Sequence, residues 1–197
     1  MRYPADHKQR TRERILDAAA TVFRRQGFAG GSVDEVMAEA GLTPGGFYSH
    51  FASKDLLFLE SVVRALRESR IIRVSENAGQ AGPEPLRRIA TRYLSPLHRK
   101  SLSDGCVLPA LLPELGRQPP AARQSFEETL LEIVHGLAPH LNDAAPETAE
   151  PQILAILSVL IGGMMLARAV SSETLADQIL AACRALVETQ LPPPSIP

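Results

Sequence analysis

Residues 41–55 read GLTPGGFYSHFASKD, which places Thr43, Tyr48, His50 and Lys54 in one short stretch around the glycine pair Gly45 and Gly46. Glycine costs about 1 kcal/mol relative to alanine inside a helix, so a pair of them beside four polar groups asks for a reason other than folding. Catalysis does not supply one. The sequence has no nucleophile elbow with a Ser/His/Asp order, no paired carboxylates in a loop and no histidines at metal-ligand spacing; its five histidines are scattered. Cys106 and Cys183 stand far apart without a CxxC or Cys/His pattern. That disfavours a disulfide scaffold or a zinc site and suits a reducing cytoplasm. Neither an enzyme nor a cofactor is expected.

Those residues must be positioned by helices. Helical periodicity recurs along the chain, and strand signals are nearly absent. A first helix is expected over about 7–26, with Ile15, Ala19, Val22 and Phe23 on one face; Gly27 ends it and Phe28 folds back onto it. Ser32, Val33, Asp34 and Glu35 have the form of a capping box, opening a second helix that carries Val36, Met37 and Ala40 and closes at Gly41. Thr43 as N-cap and Pro44 at the first helical position start a short third helix over 44–50. Ser53 caps a fourth, about 54–75, with Leu56, Leu59, Val63 and Leu66. A loop at 77–85 precedes helices at about 86–100 (Leu86, Ile89, Ala90, Tyr93, Leu97), 107–115 and 121–137 (Phe126, Leu130, Ile133, Val134, Leu137). A second loop, 139–151, leads to two last helices at about 152–170 and 172–190. The expected fold is all-α, with nine helices.

A chain of 197 residues, 45% of them hydrophobic, can bury a substantial core. The net charge of −1 by itself says nothing for nucleic acid. Its distribution says more: residues 1–73 hold 12 Lys/Arg against 9 Asp/Glu, and residues 74–197 hold 9 against 13. A basic N-terminal third on an acidic body fits a DNA-binding head on a partner-binding body, and ordinary variation in surface charge fits as well. The N-terminus lacks an apolar signal core. Residues 153–167 form 15 uncharged residues before Arg168, short of the roughly 20 that span a bilayer, so a buried helix is expected. The expected location is cytoplasmic.

Two short helices joined by the tight turn of Gly41, Leu42 and Thr43 have the layout of a helix-turn-helix, whose second helix enters the major groove while the first crosses the backbone. An amphipathic first helix ending in a GF pair, then SVDEVMAEAGLTPGGFYSHFASKDLLF, resembles the N-terminal domain of TetR/AcrR-family transcriptional regulators over about residues 8–60. The AGLT turn, the FYSHF block and the SKD helix start occur in register. Met37 departs from the pattern, standing where the family has a small alanine at the helix crossing; methionine is adaptable enough to fit with a slight change in crossing.

The resemblance implies a helix-turn-helix DNA-binding domain over 1–53 and a helical effector-binding and dimerisation domain over 54–197. It implies that Tyr48 and Lys54 contact phosphate, that Thr43 reaches the DNA backbone as well as capping its helix, and that His50 contacts backbone or a base edge. Ser32, at an N-cap, offers a further backbone contact. Pro44, Gly45 and Gly46 form the first turn of the recognition helix, where missing side chains allow close approach and N–H groups point at phosphate. Phe47 and Phe51 read as core. Lys8, Arg10, Arg12 and Arg14 read equally as solvated surface and as phosphate or minor-groove contacts.

One recognition helix reads few base pairs, so a two-fold pair on a palindromic site is expected. Residues 153–170 are apolar on nearly every face and must be covered all round. Together with Leu175, Ile179, Ala182, Leu186 and Val187 of the last helix they form the expected four-helix homodimer interface, about 152–190. The resemblance further implies a small-molecule effector. Tyr93, His98, Cys106, Phe126 and Met165 are candidate pocket residues, and few charges near them suit an apolar or amphipathic ligand. Cys106 reads either as a packing residue or as a thiol activated by helix N–H dipoles toward oxidants or electrophiles. The expected mechanism is a repressor whose fourth helix swings the two heads out of register when effector binds. The rival reading is a ligand-binding or adaptor protein of the same fold that no longer binds DNA.

Overall fold

Nine α-helices, two 3₁₀ helices and no strand occur among the described residues of the computed structural model, which are 5–69, 71, 82–102, 105–141 and 146–193. The helices are α1 (Ala5–Gly30), α2 (Val33–Glu39), α3 (Lys54–Arg67), α4 (Glu84–Tyr93), α5 (Pro96–Lys100), α6 (Leu108–Leu115), α7 (Pro120–Leu137), α8 (Pro146–Ala169) and α9 (Glu173–Thr189). The 3₁₀ helices are Pro44–Ser49 and Ala138–Leu141. The chain forms two compact units: Met1–Arg67 with Cys106–Glu127, and Glu68–Gly105 with Glu128–Pro197. We refer to them as the head unit and the body unit.

In the head unit, α1 buries the expected face of Ile15, Ala19, Val22 and Phe23. Gly27 (φ 73, ψ 173) breaks the helix, and Phe28 folds back so that its ring lies 4.9 Å from Phe58 and 6.1 Å from Phe23. Phe23 and Phe58 meet edge-on at 5.4 Å, an arrangement that adds to plain area burial. On α3 the buried residues are Leu57, Phe58, Ser61, Val62 and Leu66. Of the expected stripe only Leu66 is buried, and Leu56 is exposed. The aromatic cluster sets the rotation of α3, and periodicity alone had placed it one residue away. The expected continuation of this helix over 70 and 72–75, like the loop at 77–81, lies outside the described residues.

In the body unit, the helix expected over 86–100 is two helices. Ser95 precedes Pro96 and takes the extended conformation (φ −118, ψ 152) that a following proline favours. Its hydroxyl then accepts from the His98 N–H at 3.2 Å, capping α5. The break turns Leu97 outward, to 79% exposure, whereas Leu86, Ile89, Ala90 and Tyr93 are buried as expected. Arg168 closes α5 at its other end by donating to the carbonyls of His98 (3.0 Å), Arg99 and Ser101 (3.3 Å each). The loop expected over 139–151 is shorter: it holds a 3₁₀ turn, and α8 begins at Pro146, carrying Pro151 inside it. Pro146 stands at the first helical position, where its missing N–H forfeits nothing, whereas Pro151 lies inside the helix and removes one bond of the ladder.

From Thr148 to Ala169, α8 is long and apolar enough to cross a bilayer by length and composition. It packs against α9 and buries Ile153, Ile156, Leu160, Met164 and Ala167. Leu154 and Leu166 remain exposed, as do Leu175 and Leu186 on α9. Within one chain the helix is therefore not covered all round.

Candidate nucleic-acid interface

The helix-turn-helix starts from a complete capping box. The Ser32 hydroxyl accepts from the Glu35 N–H at 3.1 Å, and the Glu35 carboxylate accepts from the Ser32 N–H at 2.9 Å. Those Ser32 hydrogen bonds, backbone first, hold the Glu35 carboxyl below its ordinary pKa. The Ser32 hydroxyl also donates to Glu35 at 2.9 Å, so its hydrogen bonding is spent within the cap. α2 ends at Ala40, whose carbonyl accepts from Arg14 of α1 at 2.6 Å, and Gly41 (φ 66) turns the chain.

The recognition element, the short helix expected over 44–50, is a six-residue 3₁₀ helix, Pro44–Ser49. Its bonds run three residues back, Gly46 N–H to Thr43 carbonyl (3.2 Å) and His50 N–H to Phe47 carbonyl (2.9 Å), the tighter winding used in short pieces. Thr43 takes the extended N-cap backbone, but its side chain makes no cap hydrogen bond. The expected cap is therefore made by backbone alone, and the Thr43 side chain is exposed, as are Pro44 and Gly45. A Cβ on Gly45 would meet nothing within 4 Å, and one on Gly46 would meet only the Met37 methyl at 3.7 Å. Met37 is thus accommodated, fully buried, beneath Gly46, where no side chain stands above it.

Tyr48 is 77% exposed while its neighbour Phe47 is buried, the two rings meeting edge-on at 5.0 Å. Phe47 and Phe51 stack at 5.9 Å and are core, as expected. His50 is half-buried; its Nδ1 has no hydrogen-bond partner among the described residues. Burial first, and then the charges of Lys8 and Arg12, lower its pKa below 6.5. Lys54 opens α3, which Ser53 caps by accepting from the Leu56 N–H at 3.2 Å. The Lys54 ammonium stands 4.5 Å over the Phe28 ring, a cation–π contact that sequence reading missed because 26 residues separate the partners.

The basic run divides. Arg12 pairs with Glu60 and lies 4.6 Å over the Phe51 ring, and Arg14 holds the end of α2, so both have structural work. Lys8 and Arg10 are exposed. Arg64 with Asp17 and Arg25 with Glu39, each at 2.8 Å, further tie the head's helices together.

The five candidate effector residues fall in different units. In the body unit, Tyr93 and His98 come together: their rings meet edge-on at 4.5 Å, and His98 Nδ1 donates to the Tyr93 carbonyl at 2.7 Å. Burial lowers the His98 pKa, the Tyr93 carbonyl opposing it. Met165 is half-buried on α8. Cys106 and Phe126, both half-buried, belong to the head unit.

With this geometry in view, comparison with known proteins is informative. Residues 15–61 match the family model of bacterial regulatory proteins, tetR family. The HTH-type transcriptional regulator AcrR of Shigella flexneri is 43% identical over 63 residues, 32% of this chain and 28% of that protein. The chain spans less than half the length of the curated relatives it matches first. Two solved structures share the fold: the reduced form of Escherichia coli NemR (TM-score 0.76, 16% identity, 94% of this chain and 99% of that one) and Bacillus subtilis FadR in complex with stearoyl-CoA (0.66, 18%, 91% and 97%). The helix-turn-helix region of the head thus matches the tetR family at the level of sequence, and the all-helical fold is shared with solved TetR-family structures along most of the chain.

Proposed function

We propose that the protein is a cytoplasmic, ligand-responsive DNA-binding repressor that acts as a homodimer on a palindromic operator. The observation that carries the reading is the recognition element itself: an open Gly45 beside a Tyr48 that is 77% exposed above a buried Phe47. A large aromatic with a hydroxyl at its tip is displayed where no fold contact requires it, and such a group suits an acceptor-rich, wet partner. Thr43, Pro44, Gly45, Gly46, Tyr48, His50 and Lys54 form the DNA contact set, with Ser32 contributing through its backbone cap. Residues 1–53 read DNA, and residues 54–197 bind effector and dimerise.

The exposed leucines of α8 and α9 support a four-helix interface with a second copy. Tyr93, His98 and Met165 of the body contact an apolar or amphipathic effector; the stearoyl-CoA bound by FadR is one such amphipath. The ligand acts only through its differential affinity for two conformers, one of which moves the segment from Lys54 onward and takes the heads out of register. Cys106 adds sensitivity to electrophiles, and a Cys106→Ser protein whose DNA response to a quinone is unchanged would remove that part. Phe126 is tested in the same way, by Phe126→Ala in effector titrations.

The deciding experiment is a footprint of the purified protein on DNA flanking its own gene at moderate salt. A protected palindrome is expected, with affinity falling steeply as salt rises. A folded protein that protects nothing would leave the ligand-binding or adaptor reading.

A further inference from the structure

Helix α6 lies, by sequence, in the part of the chain assigned to effector binding, yet it packs along α1 and touches α3 within the head unit. Its Glu114 is the point of engagement. The carboxylate accepts from the Phe28 N–H at 2.6 Å, across 86 residues of sequence. Glycine is required beneath it: a Cβ on Gly27 would lie 2.8 Å from Glu114 Oε1, and the backbone there has φ 73. That break frees the Phe28 N–H from the helix ladder, and a part-buried donor without an acceptor carries a cost. Glu114 supplies the acceptor through a short, charge-assisted bond.

Phe28 carries the consequence toward the DNA-facing side. Its ring packs on Phe58 and Phe23, and the Lys54 ammonium stands 4.5 Å over its face. An ammonium over a ring keeps the hydrogens on its far side free for other acceptors, while the ring limits where the charge can stand. The links run from Glu114 to the Phe28 backbone, from there to the Phe28 ring, and from the ring to the Lys54 ammonium.

We infer that Glu114 is a positioning residue for DNA binding: through Phe28 it sets where Lys54 presents its charge to phosphate, and it thereby gives α6 a hold on one phosphate contact in each head. This rests on reading Lys54 as a phosphate contact. A carboxylate that merely stapled α6 to α1 would affect stability without affecting the number of phosphates engaged.

The salt dependence of binding separates these roles, because each phosphate contact adds about 0.9 to the log–log slope of affinity against salt. The full-length protein and its Lys54→Gln, Glu114→Ala, Glu114→Gln and doubly substituted Lys54→Gln/Glu114→Ala forms are titrated against the footprinted operator across a salt series. Lys54→Gln and Glu114→Ala should each lower the slope by about the same amount, about 1.8 for two heads. The double form should lose no more than either, since the two residues act on one contact. Glu114→Gln, whose amide oxygen still accepts, should restore most of the slope. A Glu114→Ala protein with lowered melting temperature and an unchanged slope would overturn the inference while leaving the DNA-binding function intact. An unchanged slope for Lys54→Gln would overturn both the contact and its positioning. If Glu114→Ala does not fold, Phe28→Leu removes the ring while keeping an apolar side chain, and an unchanged slope there also refutes the link. Wild-type protein that binds no DNA would refute the function itself, and the inference with it.

Discussion

The two units solve opposite problems. In the head unit, charged groups find partners far away in sequence: Arg12 with Glu60, Arg14 with the Ala40 carbonyl, Arg64 with Asp17, and Glu114 with the Phe28 N–H. What the recognition element leaves outside is small, polar or aromatic. In the body unit, leucines stand in solvent along α8 and α9, Leu166 at 61% and Leu186 at 50% exposure. There too, His140 is 1% exposed with no hydrogen-bond partner on either ring nitrogen among the described residues. The head exposes what a hydrated, charged polymer can use, whereas the body exposes what a dry apolar partner would cover. A surface's chemistry thus indicates its partner before the partner is seen.

The largest test of that contrast is to make the body's surface polar. Leu166→Glu with Leu186→Glu should shift the light-scattering mass to 21.3 kDa, that of one chain, and weaken operator binding about 100-fold or more as the second head's contribution is lost. A dimer that survives both substitutions would break the comparison.

The next test concerns the head. His50 is held below its usual pKa in the free protein, and a nearby phosphate favours the imidazolium, so DNA binding should take up protons. Affinity should then rise about 3–10-fold as pH falls from about 8 to 6. A gel-shift series with His50→Gln should be flat, and an unchanged wild-type profile would remove His50 from the contact set.

Buried polar groups distinguish the units at a smaller scale. His140→Leu removes two buried nitrogens that lack partners among the described residues, and differential scanning calorimetry should show a melting point about 3–6 °C higher. A lower one would mean that the imidazole holds something the apolar side chain cannot, as an effector contact would.

The smallest effect is expected at the capping box. Ser32→Ala should lower the melting point by about 2–4 °C. Because the folded Glu35 pKa lies below its ordinary value, its contribution is present above pH 4.5 and lost as pH falls through the lower, folded value. The variant's acid-side decline in melting temperature should therefore be shallower than the parent's.

Local signals were legible from the residues alone. The capping box at Ser32, the break at Gly27, the Gly41 turn and the buried pair Phe47 and Phe51 each depend on neighbours within a few positions, and the structure places them as expected. The rotation of α3 was not legible, because Phe58 faces inward to meet rings from α1. The split at Ser95 was in principle readable from Pro96, yet the apolar spacing through Leu97 concealed it. The 3₁₀ form of the recognition element follows from glycines that do not reward an α-helical ladder, but spacing could not tell one short winding from another.

Sequence by itself determined the helical class, the family that the head matches and which short stretch carries the proposed DNA contacts, because caps, breakers and periodicity act through near neighbours. Only the tertiary structure decided which charges are already committed, that Lys54 rests on Phe28, that Glu114 accepts from the Phe28 N–H, and which leucines stay uncovered. Those depend on side chains brought together across as many as 86 residues, and no spacing rule encodes such a meeting; it exists only once the helices have packed.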